Sequence, residues 1–88
     1  MPRNLRWTIE NGLTNQIYRL YVNDTQTHSI QRIVNGIFAA IRVQSTSYQI
    51  CNSHKTIDEA LVWAENDITS GDYFEWANNE IVEEIINS

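Results

Sequence analysis

The hydrophobic period of this chain changes once, at residue 56, and that change limits the fold more than any other feature. Before it, apolar residues alternate with polar ones or gather in short branched runs, as strands buried on one face require. Leu5-Arg6-Trp7-Thr8-Ile9-Glu10 alternates, and Gln16-Ile17-Tyr18-Arg19-Leu20-Tyr21-Val22 is dense in aromatic and branched residues. Both read as strands. Asn11-Gly12 and Asn35-Gly36 are hairpin dipeptides, because both residue types tolerate positive φ. Asn23-Asp24-Thr25-Gln26-Thr27 is a polar turn cluster. From residue 56 the spacing is helical. Thr56-Ile57-Asp58-Glu59 is a capping box, and Ile57, Ala60, Leu61, Ala64 and Ile68 form one apolar stripe. Thr69-Ser70-Gly71-Asp72 stops this helix and caps the next, whose stripe is Phe74, Ala77, Ile81, Val82 and Ile85.

Residues 29–43 admit two readings. Ile30, Ile33, Val34, Ile37, Phe38 and Ile41 fit a helical stripe capped by Ser29. The same residues fit two strands, Ser29–Val34 and Ile37–Val43, around Asn35-Gly36. Strands are preferred, since a mid-helix glycine costs about 1 kcal/mol and the segment is rich in Ile and Val. Ser47–Cys51 is a short fifth strand. The expected fold is α+β: a small antiparallel meander of four or five strands, then two C-terminal helices, one packed on the sheet. At 88 residues the chain is one domain. Residues 1–52 supply the sheet, 56–68 a helix and 73–86 an acidic helix.

Composition narrows function by exclusion. The chain is 42% apolar and 19% charged, which is globular and not disordered. No run approaches the roughly 18 apolar residues of a membrane span, and the start of the chain lacks the apolar core of a secretory signal. One cysteine allows no internal disulfide. A cytoplasmic protein with no membrane partner is expected. There is no phosphate-cradling glycine loop, nucleophile elbow or His-Glu-x-x-His, so no enzymatic activity and no cofactor are expected. Cys51-x-x-His54 has half of a zinc-site spacing, and His28 plus a carboxylate would have to complete it. A strand cysteine and two loop histidines explain the same residues, and no metal is expected.

Charge is segregated along the chain. Residues 1–55 hold six basic residues and two acids, for +4; residues 56–88 hold nine acids and no base, for −9. Those acids are Asp58, Glu59, Glu65, Asp67, Asp72, Glu75, Glu80, Glu83 and Glu84. Glu83 and Glu84 fall in a last helical turn, where the macrodipole disfavours anions by a few tenths of a kcal/mol each. An arrangement that does nothing for stability suits recognition, and Trp63 and Trp76 beside the core stripes resemble interface anchors. A second constellation lies in the strands. Arg6, Arg19 and Arg42 fall opposite the main apolar rows; Tyr21 shares parity with Arg19, and Phe38 with Arg42. Interleaved basic and aromatic side chains contact phosphates and stack on bases.

Trp7 on the first strand, Gly12, Tyr18-Arg19-Leu20-Tyr21-Val22-Asn23, Tyr48-Gln49-Ile50-Cys51 and the run Thr56-Ile57-Asp58-Glu59-Ala60-Leu61-Val62-Trp63-Ala64-Glu65 form a pattern over residues 5–66. The pattern resembles small phage and mobile-element proteins that pair a β-meander with a T-x-x-E-A-x-x-W-A-E helix. Among them are the arm-type DNA-binding domains of phage integrases and small acidic anti-CRISPR and anti-restriction inhibitors. The acidic helix at 73–86 departs from the integrase pattern. The resemblance implies an inhibitor.

The leading expectation is a non-enzymatic acidic module whose partner is a protein with a basic surface, of the kind that binds nucleic acid. A nucleic-acid-binding module using the Arg6/Arg19/Arg42 face is the alternative. A homodimer joining a basic sheet to acidic helices is the third reading.

Overall fold

A computed structural model describes residues 4–12, 16–33, 36–44 and 47–87, with side chains described as far as residue 79. Five strands run in chain order: β1 (Leu5–Asn11), β2 (Gln16–Val22), β3 (Thr25–Ile33), β4 (Ile37–Gln44) and β5 (Ser47–His54). Each pairs antiparallel with the next, so the sheet is a meander with β1 and β5 at its edges. Two helices follow, α1 (Ile57–Thr69) and α2 (Asp72–Asn87). The fold is therefore α+β, and residues 29–43 form a hairpin, not a helix. Val34 and Asn35 lie outside the described residues.

The turn cluster at 23–27 is shorter than its composition suggests. Only Asn23 and Asp24 make the turn, with φ of 51° and 70°, and β3 begins at Thr25. Two positive φ values in a two-residue loop match the right-handed twist of the flanking strands. β5 also runs three residues past Cys51, to His54. Both extensions pass through a register shift: Thr27 is the extra residue between the Leu20–His28 and Tyr21–Gln26 pairs, and Cys51 between Ala40–Asn52 and Ile41–Ile50. Bulges of this kind bend the strand, strengthen its local twist and re-aim the side chains beside them.

The register gives the sheet two distinct faces. Trp7 pairs with Leu20, Leu20 with His28, and His28 with Arg42, so all four share the face that the helices cover. Leu20, Val22, Ile30, Ala60, Ala64, Ile68 and Tyr73 form the buried core, with Ile57, Leu61, Phe38 and both Trp63 and Trp76 packed around it. The expected α1 stripe is thus the one that is buried. Thr56 caps α1 by accepting from the Glu59 N–H (3.2 Å), while no return bond runs from the Glu59 carboxylate. Gly71, at φ +86°, ends the first helix, and the Ser70 hydroxyl accepts from the Asp72 N–H (3.3 Å) to start the second.

Candidate functional site

The polar centre of the molecule lies beneath α1. Asp67 occupies the same helix face as Ala60 and Ala64, one turn on, and is carried down onto the sheet with 5% of its surface exposed. Arg42 of β4 meets it with a two-pronged contact: Nε donates to Oδ2 (2.8 Å) and Nη2 to Oδ1 (2.6 Å). His28 of β3, with no exposed surface, places Nε2 2.8 Å from Asp67 Oδ2. Its Nδ1 lies 2.8 Å from the Thr27 hydroxyl, which the bulge brings alongside. Trp63 stands edge-on to the His28 ring at 5.7 Å, and Tyr73 packs at 5.1 Å. The Tyr73 hydroxyl donates to the Val43 carbonyl (2.6 Å), tying α2 to β4.

The electrostatics follow from this geometry. Desolvation pushes the Asp67 carboxyl up, but hydrogen bonds from Arg42 and His28, with the Arg42 charge, outweigh it and leave the pKa below the ordinary carboxylate value. The bond to Asp67 raises Arg42 against the opposing effect of burial. Burial lowers His28 more than its hydrogen bond and attraction to Asp67 raise it. A neutral imidazole fits the bonding: Nε2–H donates to Asp67, and Nδ1 accepts from Thr27. Hydroxyl, imidazole and carboxylate are linked in the order of a nucleophilic triad, yet Thr27 is 2% exposed and Asp67 is already held by an arginine. The arrangement clamps α1 to the sheet.

Several expected site residues therefore have other roles. Asp67 is not on an acidic surface; it is the buried partner of Arg42. Glu65 accepts from the Trp7 indole N–H (2.9 Å), joining α1 to β1. Asp58, Glu59, Asp72 and Glu75 are exposed and make no ion pair among the described residues. Asp58 and Asp72 begin successive helices, so the length of α1, about 20 Å, separates them and the acids form two groups. The side chains of Glu80, Glu83 and Glu84 lie outside the described residues.

Trp63 and Trp76 are half-buried against the core and not free anchors. Trp63 nevertheless floors a groove of about 470 Å³ at the start of α1, with Val62, His54 and Asn66, rimmed by Asp58 and Glu59. Val62 is 56% exposed there. Asn52 steadies the floor: its amide oxygen accepts from the Trp63 indole N–H (2.6 Å) when the nitrogen donates to the Cys51 carbonyl (2.9 Å).

The basic-aromatic constellation is divided between the two faces. Arg6, Arg19 and Tyr21 share the open face, with the Arg6 guanidinium 4.7 Å from the Tyr21 ring centre. Phe38 and Arg42 point the other way, toward the helices, because Ser29, paired with Arg19, is opposite Ile41 and not Arg42. Arg19 is moreover paired with Glu10. The open face is mixed: Ile41, Val43, Tyr48 and Ile50 of β4 and β5, with Arg19, Ser29 and two glutamines, surround a concavity of about 490 Å³.

His28 is a buried strand residue and not a loop one, while His54 ends β5. Among the described residues no group of three His, Cys, Asp or Glu side chains is placed to hold a metal. Burial pushes the Cys51 thiol up despite the nearby Arg42 charge, which opposes thiolate chemistry. The buried network left one trace in the sequence: Asp67 stands among Ala60, Ala64 and Ile68, a carboxylate on an apolar stripe. No protein family, curated protein or solved structure matches the chain.

Proposed function

We propose that this chain is a non-catalytic module that binds a basic surface of another protein through the groove at the start of α1. The observation that carries the reading is the grouping of the apolar Trp63 and Val62 with the carboxylates Asp58 and Glu59, which make no ion pair among the described residues. An aromatic floor inside a charged rim is the anatomy of a binding hot spot. The −9 segment adds steering, since complementary charge speeds encounter and fades with salt. Basic surfaces of this kind also hold nucleic acid, so the module acts as a competitor for them, the behaviour of the inhibitors its sequence resembles. Direct nucleic-acid binding is the weaker reading, because Arg42 and Arg19 are committed to Asp67 and Glu10.

The test is affinity capture from a host extract with the wild type and with Asp58→Asn/Glu59→Gln, followed by mass spectrometry. Neutral replacements leave the Thr56 cap in place. Proteins with basic surfaces are expected on the wild type, lost from the double variant and released by salt. Identical captured sets overturn the proposal, and a low-salt gel shift with an oligonucleotide favours the sheet-face alternative.

A further inference from the structure

We infer that β5 is a pairing edge for a second copy of this chain. β5 bonds to β4 on one side and, among the described residues, to no strand on the other. Alternate backbone N–H and C=O groups of such a strand point outward and template another strand. Edges are normally blunted by charge or proline, yet Ser47–His54 contains no Asp, Glu, Lys, Arg or Pro. The opposite edge, β1, carries Arg6 and Glu10. Tyr48 and Ile50 are 73% and 64% exposed, the highest values among the large apolar residues of the sheet.

The occupant follows from charge and symmetry. Copies of a chain with net charge −5 repel one another, and a contact between two β5 strands sets no charged side chains against each other. An antiparallel strand pair is self-complementary about a two-fold axis. The regular stretch is Ser47–Ile50, before the Cys51 bulge. An axis at Gln49 sets Tyr48 of each copy opposite Ile50 of the other. Both are on the open face, so the contact makes two aromatic–branched cross-strand pairs, a stabilising combination in antiparallel sheets. The two open faces then join into one.

Sedimentation over a wide concentration range tests this, with circular dichroism to confirm folding. The wild type is expected to dimerise. Ile50→Lys and Tyr48→Glu are each expected to weaken dimerisation about tenfold or more, as charges do at edges. Ile50→Lys also lowers the net negative charge, so its effect does not come from general repulsion. An equimolar mixture of the two variants is expected to recover dimers, because the new carboxylate and ammonium face each other only in the Gln49-centred register. Ile33→Lys, on the open face but away from the edge, is expected to leave the dimer intact. A monomeric wild type, a dimer indifferent to Ile50→Lys, a mixture that stays monomeric, or dissociation by Ile33→Lys overturns the inference.

Discussion

Arg42 shows how one side chain can be withdrawn from a surface and given to the core. Its two-pronged bond to Asp67 leaves 18% of its side chain exposed and lets a carboxylate rest under α1. Removing one partner strands a buried charge, which costs about 3–5 kcal/mol, whereas burying the pair gains little over an apolar core. Arg42→Met is expected to lower the thermal midpoint by more than 10 °C, at roughly 4–8 °C per kcal/mol for a domain this small; calorimetry checks it. His28 adds a pH dependence. Its folded pKa lies below the unfolded value of about 6.5, so the unfolded chain takes up the proton first as pH falls. Stability is unaffected above that value and declines below it until the folded state also protonates. Asp67, depressed as well, adds a further loss at more acid pH. Denaturant midpoints measured between neutral pH and about 5 should fall for the wild type and fall less for His28→Gln.

Among elements, the hairpins decide which face each strand presents. The Asn23-Asp24 turn is held to the residue just before β1, where Asn4 N–H donates to Asn23 Oδ1 (3.1 Å) and Asn23 N–H to the Asn4 carbonyl (3.0 Å). Asp24 sits at φ 70° with its side chain 88% exposed and only a 3.8 Å contact to Arg6. An exposed pair of this length contributes almost nothing, while a non-glycine residue at positive φ is strained. Asp24→Gly is expected to stabilise the fold by a few tenths to about 1 kcal/mol, read from the urea midpoint; destabilisation would mean that the Asp24 side chain has a partner role in the turn. The two bulges matter in the same way. Without Thr27 as an extra residue, His28 has no adjacent hydroxyl, and the pairing of β2 with β3 loses the shift that brings Tyr21 opposite Gln26.

At the scale of the molecule, the helices pack on one side of the sheet, and the other side leaves Ile41, Val43, Tyr48 and Ile50 around a concavity beside Arg19 and two glutamines. A chain of 88 residues has few secondary elements to spare, and a five-stranded sheet has more apolar surface than two helices can bury. That imbalance is the physical reason to expect association. On the proposed reading, the acidic helices repel copies and attract basic partners, while the uncharged β5 edge admits a copy. Salt should therefore act in opposite directions. Raising it is expected to weaken capture of a basic partner and to strengthen dimerisation, by screening attraction in one case and the −5 self-repulsion in the other. Parallel measurements of capture and of sedimentation at low and high salt check this.

The strands, the Asn23-Asp24 turn, the Thr56 cap and the α1 stripe were legible in the sequence because each rests on contacts a few residues apart; Asn11, half of an expected turn dipeptide, is instead the last residue of β1 and pairs with Gln16, and Asn35 lies outside the described residues. Period, positive-φ tolerance and capping are local chemistry. The faces of the sheet were not legible across its whole width. Parity places Arg6 and Arg19 together, but carrying it to Arg42 requires the register of every intervening hairpin, and one step of register reverses a side chain. Asp67 resembles a surface acid in the sequence because its partners are 25 and 39 residues away on other strands. Long-range pairing alone turned Asp67 from one acid among nine into half of a buried ion pair, and it left β5, an ordinary polar strand in sequence, as an edge of the sheet.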